Sequence, residues 1–201
     1  MAPAKTHEPG PKCFSLLFVC TGNICRSPFA EHLARALVAE RLGPEDCRKI
    51  TTTSSGTHAI QGAAMDPHVE ADLQTMGLTG EGFTAKQLDD SQLREADLVL
   101  TAELSHRAAV VEQYPPALRT TFSLLEFAHL LTSTDLSNLR LPTDPVQRAR
   151  ELVRIGRSRR GTVPPAPQRE IPDPFGKDPE THRVALGLIT DAVRSTISRL
   201  C

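Results

Sequence analysis

The stretch FVCTGNICRSPFAEHLARAL, from Phe18 to Leu37, restricts the architecture more than any other part of the chain. An apolar run ends in Cys20, a short segment carrying Gly22 and Asn23 follows, and Arg26, Ser27 and Pro28 open a run with apolar residues at helical spacing. CFSLLFVC reads as a strand, and SPFAEHLARALVAERL, with Phe29, Leu33, Leu37 and Leu42, reads as a helix begun by Ser-Pro. Strand, tight loop and helix in that order make a β-loop-α unit. Residues 21–27 then wrap from the carboxyl end of the strand into a helix N-terminus, where backbone N–H groups without intrahelical partners converge on one anion.

The same alternation continues downstream. KITTTSSGTHA predicts a second strand ending in a loop at Gly56, DPHVEADLQTMGL a helix, ADLVLTA a third strand, ELSHRAAVVEQYP a helix and RTTFSL a short fourth strand. This order predicts right-handed crossovers and an α/β fold, a single-domain three-layer sandwich with a central, mostly four-stranded parallel sheet flanked by helices. Beyond Leu124, LLEFAHLL reads as helix, TSTDLSNLRLPTDP as loop, VQRARELVRIGRSRR as a basic helix, GTVPPAPQREIPDPFG as proline-broken irregular chain and the final segment as a helix. Arg154, Arg157, Arg159 and Arg160 read as a solvated helix face.

At 201 residues and 39% hydrophobic, the chain can bury one core. The balance of 23 Lys+Arg against 24 Asp+Glu gives no basic field for nucleic acid, and no apolar stretch is long enough for membrane insertion. Oligomeric state stays open. Residues 1–12 have no apolar block of signal-peptide length and are expected to form a flexible lead before a domain over 13–201. The odd set of five cysteines fits a reducing compartment, so a cytoplasmic location is expected, with Cys13, Cys47 and Cys201 as incidental thiols. The cysteines and seven histidines show no compact four-ligand pattern; no metal and no cofactor are expected.

Within the loop each residue type has a chemical reason. Gly22 lets the backbone approach an anion, Arg26 grips two oxygens through its planar fork, and the convergent N–H groups favour the Cys20 thiolate as a nucleophile. Ser27 can donate to that thiolate or to a departing sulfur, and Asn23 suits a left-handed or side-chain-braced turn. Taken singly, a cysteine closing a strand is core filler and an arginine is surface. Their occurrence in one strand-cup-helix order points to an anion-binding cysteine.

Cys20-Thr21-Gly22-Asn23-Ile24-Cys25-Arg26-Ser27 resembles the signature of the low-molecular-weight protein tyrosine phosphatase family, in which it lies near the N-terminus. SSGT, ADLVLT and the late DPF are similar to further family segments, so the resemblance runs over about residues 13–200. It implies hydrolysis of phosphotyrosine on a protein or peptide, with release of inorganic phosphate. Cys20 would attack phosphorus, Arg26 and the loop from Thr21 to Ser27 would hold the phosphoryl oxygens, and Asp173 would be general acid and base. Ser54, with Asn23 and Ser27, would brace the loop. Asp66-Pro67 is a rival Asp-Pro pair, and family position selects Asp173.

The resemblance also has departures. Phe175 would wall the substrate ring, but Gly176 stands where many members have a second aromatic, and Met76 stands where some have a loop-supporting histidine. Residues of about 130–169 form a longer connection than in compact members and are expected to be an insertion. Relatives join the pair matching Cys20 and Cys25 on oxidation, which makes Cys25 a candidate redox partner. Ile24 favours an aryl phosphate, whereas related protein arginine phosphatases have threonine there, and DPFG resembles those enzymes. Protein arginine phosphatase, arsenate reductase and a non-catalytic phosphoprotein-binding module are the alternative readings.

Overall fold

The computed structural model describes residues 13–201; the lead expected over 1–12 lies outside the described residues. The first strand, β1 (Phe14–Cys20), buries every residue except Ser15, which is half-buried. With β2 (Ile50–Gly56), β3 (Leu98–Thr101) and β4 (Thr121–Ser123) it forms a wholly parallel sheet in the order β2-β1-β3-β4. Alternation along β1 divides the core. Phe14, Leu16, Phe18 and Cys20 enter a larger apolar cluster, while Leu17 and Val19 enter a smaller one on the opposite face.

The larger cluster is built on α1 (Arg26–Asp46), α5 (Leu124–Thr132), α6 (Pro145–Arg159) and α7 (Pro179–Leu200), through side chains such as Phe29, Phe127, Leu152 and Ile189. The smaller uses α3 (Asp90–Glu95) and α4 (Leu104–Gln113), through Leu93 and Val110. The remaining α-helix, α2 (Pro67–Thr75), adds Val69 and Leu73 to the larger cluster. The three layers are therefore those expected. The sequence reading did not single out α3, although Asp89 and Gln92 form a reciprocal capping box at its start. The regular part of α1 ends at Gly43, whose φ of 70° breaks the helix before Pro44.

One expectation changes at the far side. Arg160 is not on a solvated face: it pairs with Glu126, donates to the carbonyl of Thr121 and lies 3.7 Å over the Phe122 ring. Burying part of the guanidinium costs less when an aromatic face and a carboxylate receive it. Within the segment of about 130–169, α6 buries Ala149 and Leu152 completely, so this stretch contributes to the core.

Strand register sets the location of the site. Cys20 pairs with Gly56, Val19 with Thr101, and Thr101 with Ser123, which brings the carboxyl ends of all four strands to one edge. In parallel α/β sheets, this edge is where loops can surround a ligand.

Candidate active site

Residues 21–25 leave the end of β1 and reach α1 as a closed cup. The carbonyls of Cys20, Thr21 and Gly22 accept hydrogen bonds from the amides of Thr57, His58 and Ile60 at 2.9–3.0 Å, and the Ile24 carbonyl accepts from the Asp66 amide at 2.9 Å. In a trans peptide the N–H points opposite to the preceding carbonyl. Tying these carbonyls to the 57–66 segment thus turns the amides of Thr21, Gly22, Asn23 and Cys25 the other way, into the cup. The start of α1 has no acidic residue in its first turn and no side-chain cap at Cys25, which leaves its positive end available to an anion.

Asn23 holds the cup in shape from beneath. It is wholly buried and, at φ 55°, is the one non-glycine residue with positive φ among the described residues. Its amide donates to Ser27 Oγ and Ser54 Oγ, both at 2.9 Å, and its carbonyl accepts from the Lys86 amide at 2.7 Å. Ser54 Oγ donates onward to Glu31 Oε2 at 2.6 Å, and Glu31 pairs with Arg35. Met76 takes no part in this brace and is 41% exposed; Glu31 supports Ser54 instead.

The same network orients Ser27. Its oxygen accepts from Asn23, so its proton is directed to Cys20 Sγ at 3.0 Å or to the Ser55 carbonyl at 3.4 Å. The nearer of the two is the sulfur. Cys25 differs: burial, followed by the charges of Asp66, Cys20 and Asp173, pushes its thiol up to about 12. It remains protonated near neutral pH, although it lines the same cleft as Cys20.

Arg26 is 2% exposed and has carboxylates on two sides. Nη1 binds Glu103 and donates to the Ile171 carbonyl at 2.9 Å, and Nη2 lies 3.2 Å from Asp173 Oδ2. Its buried Nε–H has no hydrogen-bond partner among the described residues. A buried guanidinium donor beside a thiol and a ring of amides is an electrostatic receptor for an oxyanion. Glu103 and His106 were not foreseen from sequence. Burial raises the Glu103 carboxyl, but its bond to Arg26 and the Arg26 charge together hold it below the usual carboxylate range.

All eight residues of the Cys20–Ser27 stretch and Ser54 are thus brought together. Asp173 and Phe175 join them from the segment before α7, and the resulting cleft of about 160 Å³ is lined by Cys20, Ile24, Arg26, Asp173 and Phe175. Phe175 is 53% exposed, and His58 and Ile60 line the same cleft. Three of the four Asp-Pro pairs, at Asp66, Asp144 and Asp178, cap α2, α6 and α7 with proline in the first turn. Asp173-Pro174 opens no helix. Asp66 is used as a cap and lines a separate groove, whereas Asp173 turns into the cleft. Among the described residues, no group of histidine, cysteine and carboxylate side chains could hold a metal ion, and no helix is long and apolar enough to cross a membrane.

The chain matches the family described as low molecular weight phosphotyrosine protein phosphatase over residues 15–155. It is 36% identical over 100 residues to the low molecular weight protein-tyrosine-phosphatase Wzb of Salmonella typhi, a match covering 50% of this chain and 61% of that protein. It is also 32% identical over 114 residues to a protein-arginine-phosphatase of Geobacillus stearothermophilus, covering 57% and 71% of the two chains. The solved low molecular weight protein tyrosine phosphatase of T. tengcongensis superposes with a TM-score of 0.66 at 25% identity, over 92% of this chain and 98% of that one. The family match spans the residues of the cup, its brace and, Phe14 apart, all four strands, and the chain belongs to the low molecular weight phosphotyrosine protein phosphatase family.

Proposed function

We propose that the protein hydrolyses phosphotyrosine on proteins or peptides through a phosphocysteine intermediate. The carrying observation is the buried, unpartnered Nε–H of Arg26 in the same cup as Cys20, whose sulfur lies 3.0 Å from Ser27 Oγ. Cys20 thiolate attacks phosphorus as the bond to the phenolic oxygen breaks, while the loop amides and Arg26 hold the three equatorial oxygens. Asp173 gives its proton to the departing oxygen. The resulting carboxylate then takes a proton from water, the water oxygen attacks the phosphocysteine, and inorganic phosphate leaves with Cys20 restored as thiolate. Ser27 donates to that departing sulfur.

Apolar Ile24, with Ile60 and Phe175, supports an aryl group at the mouth of the cleft. A second reading, phosphoarginine hydrolysis, is favoured by the similarity to the Geobacillus protein-arginine-phosphatase. Arsenate reduction needs a relay of thiols, and Cys47 and Cys201 do not line the cleft. All five cysteines are free, and a thiolate nucleophile requires reducing conditions, which supports a cytoplasmic location.

Catalytic efficiencies on matched phosphotyrosine and phosphoarginine peptides test the reading, with the unmodified protein compared with Ile24→Thr and Cys20→Ser. Preference for phosphotyrosine, a shift toward phosphoarginine in Ile24→Thr and no turnover by folded Cys20→Ser are expected. Preference for phosphoarginine in the unmodified protein would give the site to the second reading. Absence of turnover on both peptides, with oxyanion binding retained, would leave a binding module.

A further inference from the structure

His106 is buried in the first turn of α4, yet none of the reaction steps above uses it. Its ring spans two groups at the cup. Nδ1 lies 3.2 Å from the backbone N–H of Glu103, and Nε2 lies 2.8 Å from Thr21 Oγ1. The amide can only donate, so Nδ1 must be the acceptor and the imidazole proton belongs on Nε2. Nε2–H consequently donates to Thr21. Burial, the largest influence, keeps the imidazole below its ordinary range against the opposing pull of the Glu103, Asp173 and Glu170 charges, with Arg26 acting in the same sense as burial. The neutral ring required by these two bonds is the favoured form.

The direction of this bond determines what Thr21 offers. The other polar group near Thr21 Oγ1 is Arg26 Nη2, at 3.5 Å, and it too is a donor. With donors on two sides, the hydroxyl oxygen is occupied as an acceptor and its proton is left for a third group. Thr21 lines the cleft beside Cys20 and Arg26, where the acceptors supplied by a phosphoryl group are its oxygens. A valine-shaped side chain at this position would fill the same space without that proton.

We propose that Thr21 is a hydrogen-bond donor to the phosphoryl group in the cleft and that His106 is the positioning residue that fixes its hydroxyl in that sense. This rests on the phosphatase reading of the cup and adds a side-chain donor to its ring of backbone amides. Glu103 links the two halves of the arrangement, since its carboxylate binds Arg26 while its amide anchors His106. Helix α4 thereby controls both side-chain groups that reach toward the anion from this side.

A double-mutant cycle on aryl phosphate turnover tests the proposal. Thr21→Val should lower kcat/KM roughly ten- to a hundredfold, the scale of one hydrogen bond to a charged group, and weaken inhibition by vanadate in parallel. His106→Leu should produce a loss of similar size, but little further loss in a protein already carrying Thr21→Val. His106→Gln, which retains both an acceptor for the Glu103 amide and an N–H donor, should recover part of the activity lost in His106→Leu. Equal fold-losses from His106→Leu with and without Thr21→Val would overturn the proposal and make His106 a helix cap alone. Unchanged turnover in folded Thr21→Val would overturn it as well. Absence of turnover by the unmodified protein would instead be a failure of the phosphatase reading, and vanadate binding would then carry the same cycle.

Discussion

Asp173 Oδ2 lies 3.2 Å from Arg26 Nη2, so the carboxylate assigned to proton transfer rests against the guanidinium assigned to the phosphoryl oxygens. A doubly charged phosphate arriving at Arg26 competes with that carboxylate and repels its charge. Protonation of Asp173 relieves both effects and produces the acid that a phenolate leaving group needs.

Asp173→Asn is therefore expected to slow hydrolysis of phenyl phosphate by roughly a hundredfold or more and hydrolysis of a nitrophenyl ester much less, because the activated phenolate leaves without a proton. Vanadate should bind at least as tightly as before, since the competing charge is gone. Steady-state rates across a leaving-group series, with vanadate inhibition measured in parallel, check both outcomes. Equal losses on every ester would reduce Asp173 to a support of its loop.

The brace predicts a backbone effect at Gly56. A Cβ there would lie 2.4 Å from the Thr21 carbonyl oxygen and 3.0 Å from the Asn23 amide nitrogen, and neither backbone atom can rotate away. Gly56→Ala should push the cup off β2, destabilising the protein by about 1–3 kcal/mol and lowering turnover. Gly22 makes the contrast: its Cβ would meet no atom closer than 3.5 Å, so Gly22→Ala should leave stability little changed while weakening oxyanion binding. Denaturant unfolding and vanadate inhibition of the two variants would separate these effects; matching stability losses would count against the proposed division of roles.

Local chemistry made the cup readable from sequence, because strand end, glycine, asparagine, arginine and helix start are consecutive there. Ser54 and Asp173 came only through the family resemblance. The signal for Asp173 was nevertheless present in part: the other Asp-Pro pairs stand before helical patterns, while Asp173-Pro174 precedes Phe-Gly. Glu103 and His106 were hidden because a charged residue and a histidine three positions apart at a helix start read as ordinary capping, and only the β3 crossover brings them to Arg26 and Thr21. Arg160 was misread for the reverse reason. Its spacing belongs to the basic face of α6, but it lies at the helix end, where the chain turns back over Phe122.

Oxidation offers a separate test of the two thiols in the cup. Peroxide converts Cys20 thiolate to sulfenic acid; attack by the Cys25 sulfur with loss of water would then form a disulfide that reductant reverses. Burial keeps Cys25 a thiol, with its pKa at about 12, so it should resist direct oxidation and act only as the second partner. Peptide mapping after mild peroxide should find Cys20 joined to Cys25, and Cys25→Ser should recover less activity on reduction. A Cys20 adduct with another thiol would discard this pairing.

The pH dependence of stability should follow from the groups around Arg26. His106 is lowered from 6.5 chiefly by burial, so between that value and its folded pKa the unfolded chain binds more protons than the folded one. Stability consequently falls as pH drops through this window and is unaffected by His106 well above it. His32, lowered mainly by burial too, adds to the same slope. Glu103 acts further down: its folded carboxyl lies below 4.5, so the stability it contributes is present above that pH and is lost as pH falls through the folded value. Melting temperatures between about pH 7.5 and 5 should therefore decline in the unmodified protein and decline less steeply in His106→Gln, which has no titrating ring. Identical slopes would mean that His106 does not change its proton affinity on folding, and the neutral imidazole between Thr21 and Glu103 would lose its energetic support.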